Sequence, residues 1–278
     1  MPRRISTVRG REFGEGVRAV VAASGLSSRQ VAELLDCDDS KVSEVLNGKV
    51  YLSELEVVAL LSVCRPEAAE RDRLLALYPT RNVQGWWQQH GKFAPVQPST
   101  ALAHVAKANE LIDWQPLVLP VFLRTDGYAR ELLIASAAVP EREEMEERLR
   151  VQAEMRELLH NGPRCTFYIH EFALRLLVGD CAVQAEQLLH LTMMANWSRV
   201  KIRVVPAAAG AHAGIDGAFT QLKFPMYEPV VWLENFNSSI FVEMRDSIAG
   251  YDAVVVKLDE ASLSEDESLA MINKLQVW

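Results

Sequence analysis

The stretch Ser27-Ser28-Arg29-Gln30-Val31-Ala32-Glu33-Leu34-Leu35-Asp36-Cys37-Asp38-Asp39-Ser40-Lys41-Val42-Ser43-Glu44-Val45-Leu46-Asn47-Gly48 decides the fold of the N-terminal part. Ser27 and Gln30 make a capping box, with the hydroxyl at N-cap and the amide at N3, so a helix opens there and runs to Leu35. Asp36-Cys37-Asp38 is a three-residue turn, Asp38 or Asp39 caps the next helix, and Asn47-Gly48 stops it. Two short helices crossing steeply around such a turn impose three demands. The first helix needs a small residue where the second approaches, and Ala32 supplies it. The turn needs a residue that tolerates positive φ, a place usually held by glycine and here by Asp36. The second helix needs apolar residues on its inner face, which Val42 and Val45 provide. Together these predict a helix-turn-helix.

Punctuation on either side extends the pattern to an all-α, five-helix domain over residues 1–80. A first helix covers 13–24 with Val17, Val20 and Val21 on one face, and Gly25 stops it. Ser53 and Glu56 make another capping box that opens the fourth helix. Pro66 suits the first turn of a fifth, which runs to Tyr78. Residues 81–100 carry Gly85, Gly91, Pro95 and Pro98 without a helical period, and read as a linker. Its aromatics Trp86, Trp87 and Phe93 would be a liability if exposed, so they are expected to dock on a domain.

Residues 101–278 mix two periods. Helical pattern covers 100–113, 141–160, 183–197 and 263–275. Strand-like runs rich in Val, Ile, Phe and Tyr cover 165–170, 201–205, 219–224, 230–234 and 239–242. The expected fold class is α+β: the helical domain followed by an α+β domain with an antiparallel sheet.

The words Gly25-Leu26-Ser27, Val31-Ala32-Glu33-Leu34-Leu35, Ser40-Lys41-Val42-Ser43 and Asn47-Gly48 resemble the lambda-repressor-like (XRE) helix-turn-helix family over about residues 13–65. The resemblance implies that the second helix of the pair reads base edges in the major groove. Its outward positions are Asp39, Ser40, Lys41, Ser43, Glu44 and Asn47, while Ser28 and Arg29 would meet phosphates. This sequence departs from the family in its acids: Lys41 stands alone against Asp38, Asp39 and Glu44. Compensating cations would be Arg3 and Arg4 on an N-terminal arm, with Arg9, Arg11, Arg18 and Lys49.

The second part resembles the C-terminal domain called DUF5753 of actinobacterial XRE regulators. The matching words are Trp86-Trp87, Pro116 to Pro120, Thr125-Asp126-Gly127-Tyr128-Ala129-Arg130, Val204-Val205-Pro206, Gly210 to Gly214 and Gly217-Ala218-Phe219. The resemblance implies a transcription regulator, with a small acidic partner protein as one candidate associate. Candidate ligand-pocket residues are Trp86, Trp87, Tyr128, His212 and Phe219. The small-residue loop 206–219 reads either as a cavity wall or as a tightly packed crossover. A hydrogen bond from loop backbone to His212 is expected rather than catalysis.

Composition bounds the rest. The chain has 278 residues, is 49% hydrophobic and carries a net charge of −8. Residues 1–80 hold 11 Lys/Arg against 12 Asp/Glu, leaving 18 against 25 for the remainder. A surface that binds nucleic acid all over is therefore excluded, while a local reading head is not. No membrane-length apolar run and no secretory leader is read, which points to a cytoplasmic protein. The cysteines at 37, 64, 165 and 181 and the histidines show no metal or disulfide spacing, so no metal, cofactor or catalytic residue is expected. One short helix makes few base contacts, so the expected partners are a palindromic DNA operator bound by a homodimer, and a small-molecule effector. Two other readings stay open. The helix-turn-helix could have lost DNA binding and the second domain could bind or transform a small molecule, or the chain could be an antitoxin-like protein that holds a small partner.

Overall fold

The computed structural model describes residues 6–49, 52–89, 98–137, 139–235 and 238–276. The chain divides into two compact units, one of Met1–Trp86 with Phe241–Met244 and one of Trp87–Ile240 with Arg245–Trp278. The first unit is therefore discontinuous in sequence.

Five helices build the first unit: α1 (Val8–Ala23), α2 (Ser28–Leu34), α3 (Asp39–Leu46), α4 (Glu54–Cys64) and α5 (Ala68–Leu77). Both predicted capping boxes form, Ser27 with Gln30 and Ser53 with Glu56. Asp38 stands at the N-cap of α3, but its side chain accepts no capping bond. Asp36 adopts φ 48°, as the turn requires. Ala32, Val42 and Val45 are buried in a core that includes Phe13, Val17, Val31, Leu60, Leu61 and Leu74. Helix α1 begins earlier than its apolar face suggests, because the Thr7 side chain caps it by accepting from the Gly10 N–H.

The seat of α3 is a contact between backbones. A side chain at Gly14 of α1 would stand 2.6 Å from the Val45 carbonyl oxygen and 2.8 Å from the Gly48 nitrogen. Gly48 itself has φ 70°, and a Cβ there would lie 2.7 Å from the Arg11 nitrogen. Arg18 of α1 then donates to the Leu46 carbonyl at 2.8 Å, occupying an orphan acceptor at the end of α3. Arg73 of α5 reaches back to Glu12 of α1 at 2.8 Å and to Glu70 at 2.7 Å. Glu243, in the returning segment of this unit, accepts from the Val8 N–H at 2.8 Å and the Gly85 N–H at 2.9 Å.

The remaining elements are β1 (Trp86–Gln89), α6 (Pro98–Lys107), β2 (Glu110–Gln115), α7 (Asp126–Ile134), α8 (Arg142–Asn161), β3 (Arg164–His170), α9 (Glu171–Arg175), α10 (Cys181–Met194), β4 (Val200–Val205), β5 (Phe219–Lys223), β6 (Val230–Asn235), β7 (Ser238–Val242), α11 (Arg245–Ala261) and α12 (Glu265–Leu275). The strands form one sheet in the order β1-β7-β6-β5-β2-β3-β4. The α+β class is as expected, but the sheet is mixed. Pairs β2–β5 and β5–β6 are antiparallel, whereas β2–β3 and β3–β4 are parallel. Each parallel step is bridged by helices, α7 and α8 in the first case and α9 and α10 in the second, as a crossover between parallel strands requires.

The helical part of the sequence reading differs from the structure in two places. The helix expected over 100–113 ends at Lys107, and 110–115 is strand β2, flanked on both sides by partners and nearly all buried. Periodicity assigns no element to 245–261, which forms α11. On α8, Glu144 pairs with Arg148 at 2.5 Å, Arg150 pairs with Glu147 and Glu154, and Glu146 turns to Arg130.

Replacing Ala32 by Leu should lower the stability of the helical unit by about 1–3 kcal/mol through overpacking. Gly14→Ala should do the same through a clash with backbone that cannot rotate away. Both are checked by thermal unfolding of the full chain, and an unmoved transition for both variants would contradict the described packing.

Candidate functional site

In the first unit the site is the outer face of α3. Burial of Val42, Val45 and Leu46 turns Asp39, Ser40, Ser43 and Asn47 to solvent, while Lys41, Glu44 and Lys49 are half-buried. Five of these seven lie along one eight-residue helix, so an exposed polar row is presented on a rigid mount. Ser28 and Arg29 open α2, where backbone N–H groups of the first turn have no helical acceptor.

The electrostatics of this face differ from those expected of its residues singly. Lys41 pairs with Glu56 of α4 at 3.6 Å. That carboxylate also takes the Ser53 N–H at 2.6 Å, and these bonds hold its pKa below the ordinary range. Arg29 pairs with Glu33 at 3.2 Å. Arg18 is committed to the end of α3 and to Glu15. Arg11 is buried and donates to the Ser6 carbonyl, which removes it from the cations available to phosphate. Arg9 lies over the Trp86 ring, 5.7 Å from its centroid. Arg3 and Arg4 fall outside the described residues. Glu56 as the partner of Lys41 was not legible, because the pairing joins separate helices.

Of the five candidate pocket residues Trp86 belongs to the first unit, and the four in the second unit do not line one cavity. Tyr128 is buried and its hydroxyl oxygen accepts from the Leu119 N–H at 3.4 Å. His212 caps a short turn, its Nδ1 accepting from the Gly214 N–H at 3.1 Å, and its ring meets Trp114 edge-on at 5.2 Å. Burial, then the neighbouring His170, lowers the pKa of His212. Trp86 packs beside Phe241 at 6.3 Å within the first unit, and Trp87 is exposed. The 206–219 loop is pinned by the Trp114 indole N–H, which donates to the Gly214 carbonyl at 2.8 Å.

Of the five, Phe219 lines a cavity of about 180 Å³, whose other walls were not foreseen. Register places Asp113 of β2 opposite Thr220 of β5, and Thr220 opposite Trp232 of β6. These three therefore form one row across one face of the sheet. Gln115 and Glu234, two residues further along their strands, lie on that same face, and Arg124 completes the polar lining.

Asp113 is completely buried. The Thr220 hydroxyl donates to its Oδ2 at 2.7 Å, while Oδ1 is buried with no partner. Burial pushes its pKa up to about 6, against the opposing pull of the Thr220 hydroxyl, Gln115 and the Arg124 guanidinium. A carboxylic acid alone among Leu111, Ile112 and Trp114 was the available signal: buried strands seldom spend a position on an acid without use.

No helix among the described residues is long and apolar enough to cross a membrane. A helix-turn-helix with an exposed polar face on its second helix, joined to an α+β unit with a polar cavity, is the architecture of a DNA-binding regulator with a separate second domain. Residues 12–74 match a helix-turn-helix domain, and residues 98–274 match the domain of unknown function DUF5753. The chain belongs to the DUF5753 family. No curated protein matches it.

An acid that ionises less readily folded than unfolded contributes stability below the unfolded pKa, and this is lost as pH rises through the folded one. For Asp113 the window runs from the usual 3.8 to about 6, a difference of about 3 kcal/mol. Asp113→Asn, which keeps an acceptor for Thr220, should therefore match the parent at pH below 4. At neutral pH and above it should exceed the parent by about 2–3 kcal/mol. Urea unfolding across this range checks it, and a difference independent of pH would contradict the burial of an ionisable Asp113.

Proposed function

We propose that this chain is a sequence-specific transcription regulator of the lambda-repressor-like type. It binds a palindromic operator as a homodimer through α3, and the domain over 101–278 senses a small-molecule effector. The observation that carries the reading is the seat of α3: three buried apolar residues and a backbone contact with α1 hold it, while its outer row of polar side chains makes no core contact. Such a row has the donor and acceptor groups that base edges require. The dimer follows from the shortness of the reader. Eight residues reach few base pairs, and two half-sites about one helical turn apart supply the missing discrimination.

The acids on α3 give the site its character. Asp39 and Glu44 can accept from cytosine N4, but each also opposes the phosphates. Affinity then rests on cations outside α3, and discrimination rests on α3 itself.

The Lys41–Glu56 pair favours one competing reading, in which DNA binding has been lost and the second domain carries the function. A gel-shift with the region upstream of the chain's own gene, at low and moderate salt, tests the proposal. Bound complex of dimer stoichiometry, with affinity falling on added salt, is the expected result. No complex at low salt would leave the competing reading.

Asp39→Ala with Glu44→Ala should raise non-specific affinity and lower discrimination between sites. Lys41→Ala should weaken cognate binding by about 1–3 kcal/mol and change base preference. Binding measured on a panel of site variants checks both, and an unchanged preference in both proteins would remove α3 from the role of reader.

A further inference from the structure

The cavity behind Asp113 is built for a ligand of definable charge. Its floor is the row Asp113–Thr220–Trp232, and all three side chains are buried. The Trp232 indole N–H is spent on the Ser239 hydroxyl at 3.1 Å, so the ring offers the cavity an apolar surface and no donor. The Thr220 hydroxyl is spent on Asp113 Oδ2. Arg124 uses its Nε on the Leu119 carbonyl at 2.8 Å, and its charge is opposed by Glu234 at the exposed mouth. Two carboxylates thus face one guanidinium. Asp113 Oδ1 is buried and makes no hydrogen bond of ordinary geometry, although the Gln115 amide in the same lining pulls on the carboxyl group. A buried acceptor without a partner costs about 1–3 kcal/mol, so a donor supplied from outside recovers free energy that the protein alone forgoes.

We propose that this cavity binds a small organic monocation, an amine or amidine, whose charged N–H group bonds Asp113 Oδ1 and whose apolar body lies against Trp232. One positive charge neutralises the excess of one carboxylate, whereas an anion would meet two acids. Size sets the other limit: the volume of about 180 Å³ compares with roughly 150 Å³ for a cavity that holds benzene. The regulatory meaning of this binding rests on the effector reading above; the binding itself does not.

Three probes of one shape separate the charge classes: benzamidine, benzamide and benzoate, titrated into the full chain by calorimetry at millimolar concentration. Benzamidine should bind at least about tenfold more tightly than benzamide, with benzoate weakest. Asp113→Asn should abolish the preference for benzamidine over benzamide. Glu234→Gln should weaken benzamidine binding, because Arg124 is then free to answer Asp113. Asp259→Asn, far along the chain on α11, should change nothing. Preference for benzoate, equal binding of all three, undiminished benzamidine binding by Asp113→Asn, or a cavity that holds water only and binds none of them would each overturn the proposal. A gel-shift with and without benzamidine separates the two readings. If calorimetry shows binding and DNA retention is the same, the cavity assignment stands and the effector reading falls.

Discussion

The helical unit depends on one constraint, the contact of backbone with backbone between α1 and the end of α3. Gly14 and Gly48 leave no room for a side chain at this crossing, and Arg18 binds the last carbonyl of α3 across it. The exposed face of α3 depends on it. Because its inner face is held by Val42, Val45 and this crossing, its outer residues have fixed directions rather than a mobile spread. Rigid placement matters for groove reading, where a bidentate bond tolerates little error.

Charge in this protein is arranged against general adhesion to nucleic acid. Residues 1–80 are nearly neutral, the lone cation of α3 is shared with Glu56, and Arg11 is buried.

The helix-turn-helix was legible because its rules are local: caps, a positive-φ turn residue and apolar spacing all lie within 22 consecutive positions. The glycine contact was not, since it joins Gly14 to Gly48 across the core and no periodicity marks it. Strand β2 was read as helix because a short apolar run has no clear period when both its neighbours in the sheet bury it. The mixed character of the sheet has no local mark in the sequence, because parallel pairing is set by crossovers far apart in sequence. Of the cavity, Phe219 alone was anticipated. Tyr128 and His212 stood out as family words, but both spend their polar atoms on backbone. Asp113 lies inside an apolar strand, where no period or motif marks it.

The most direct test of the central claim is amide chemical-shift mapping by nuclear magnetic resonance of the full chain as an operator duplex is added. The structure predicts the largest changes at Asp39–Asn47 and at Ser28–Gln30, with a matched non-operator duplex shifting them far less. Changes confined to other surfaces, or equal for both duplexes, would contradict the assignment of α3 as the element that reads DNA.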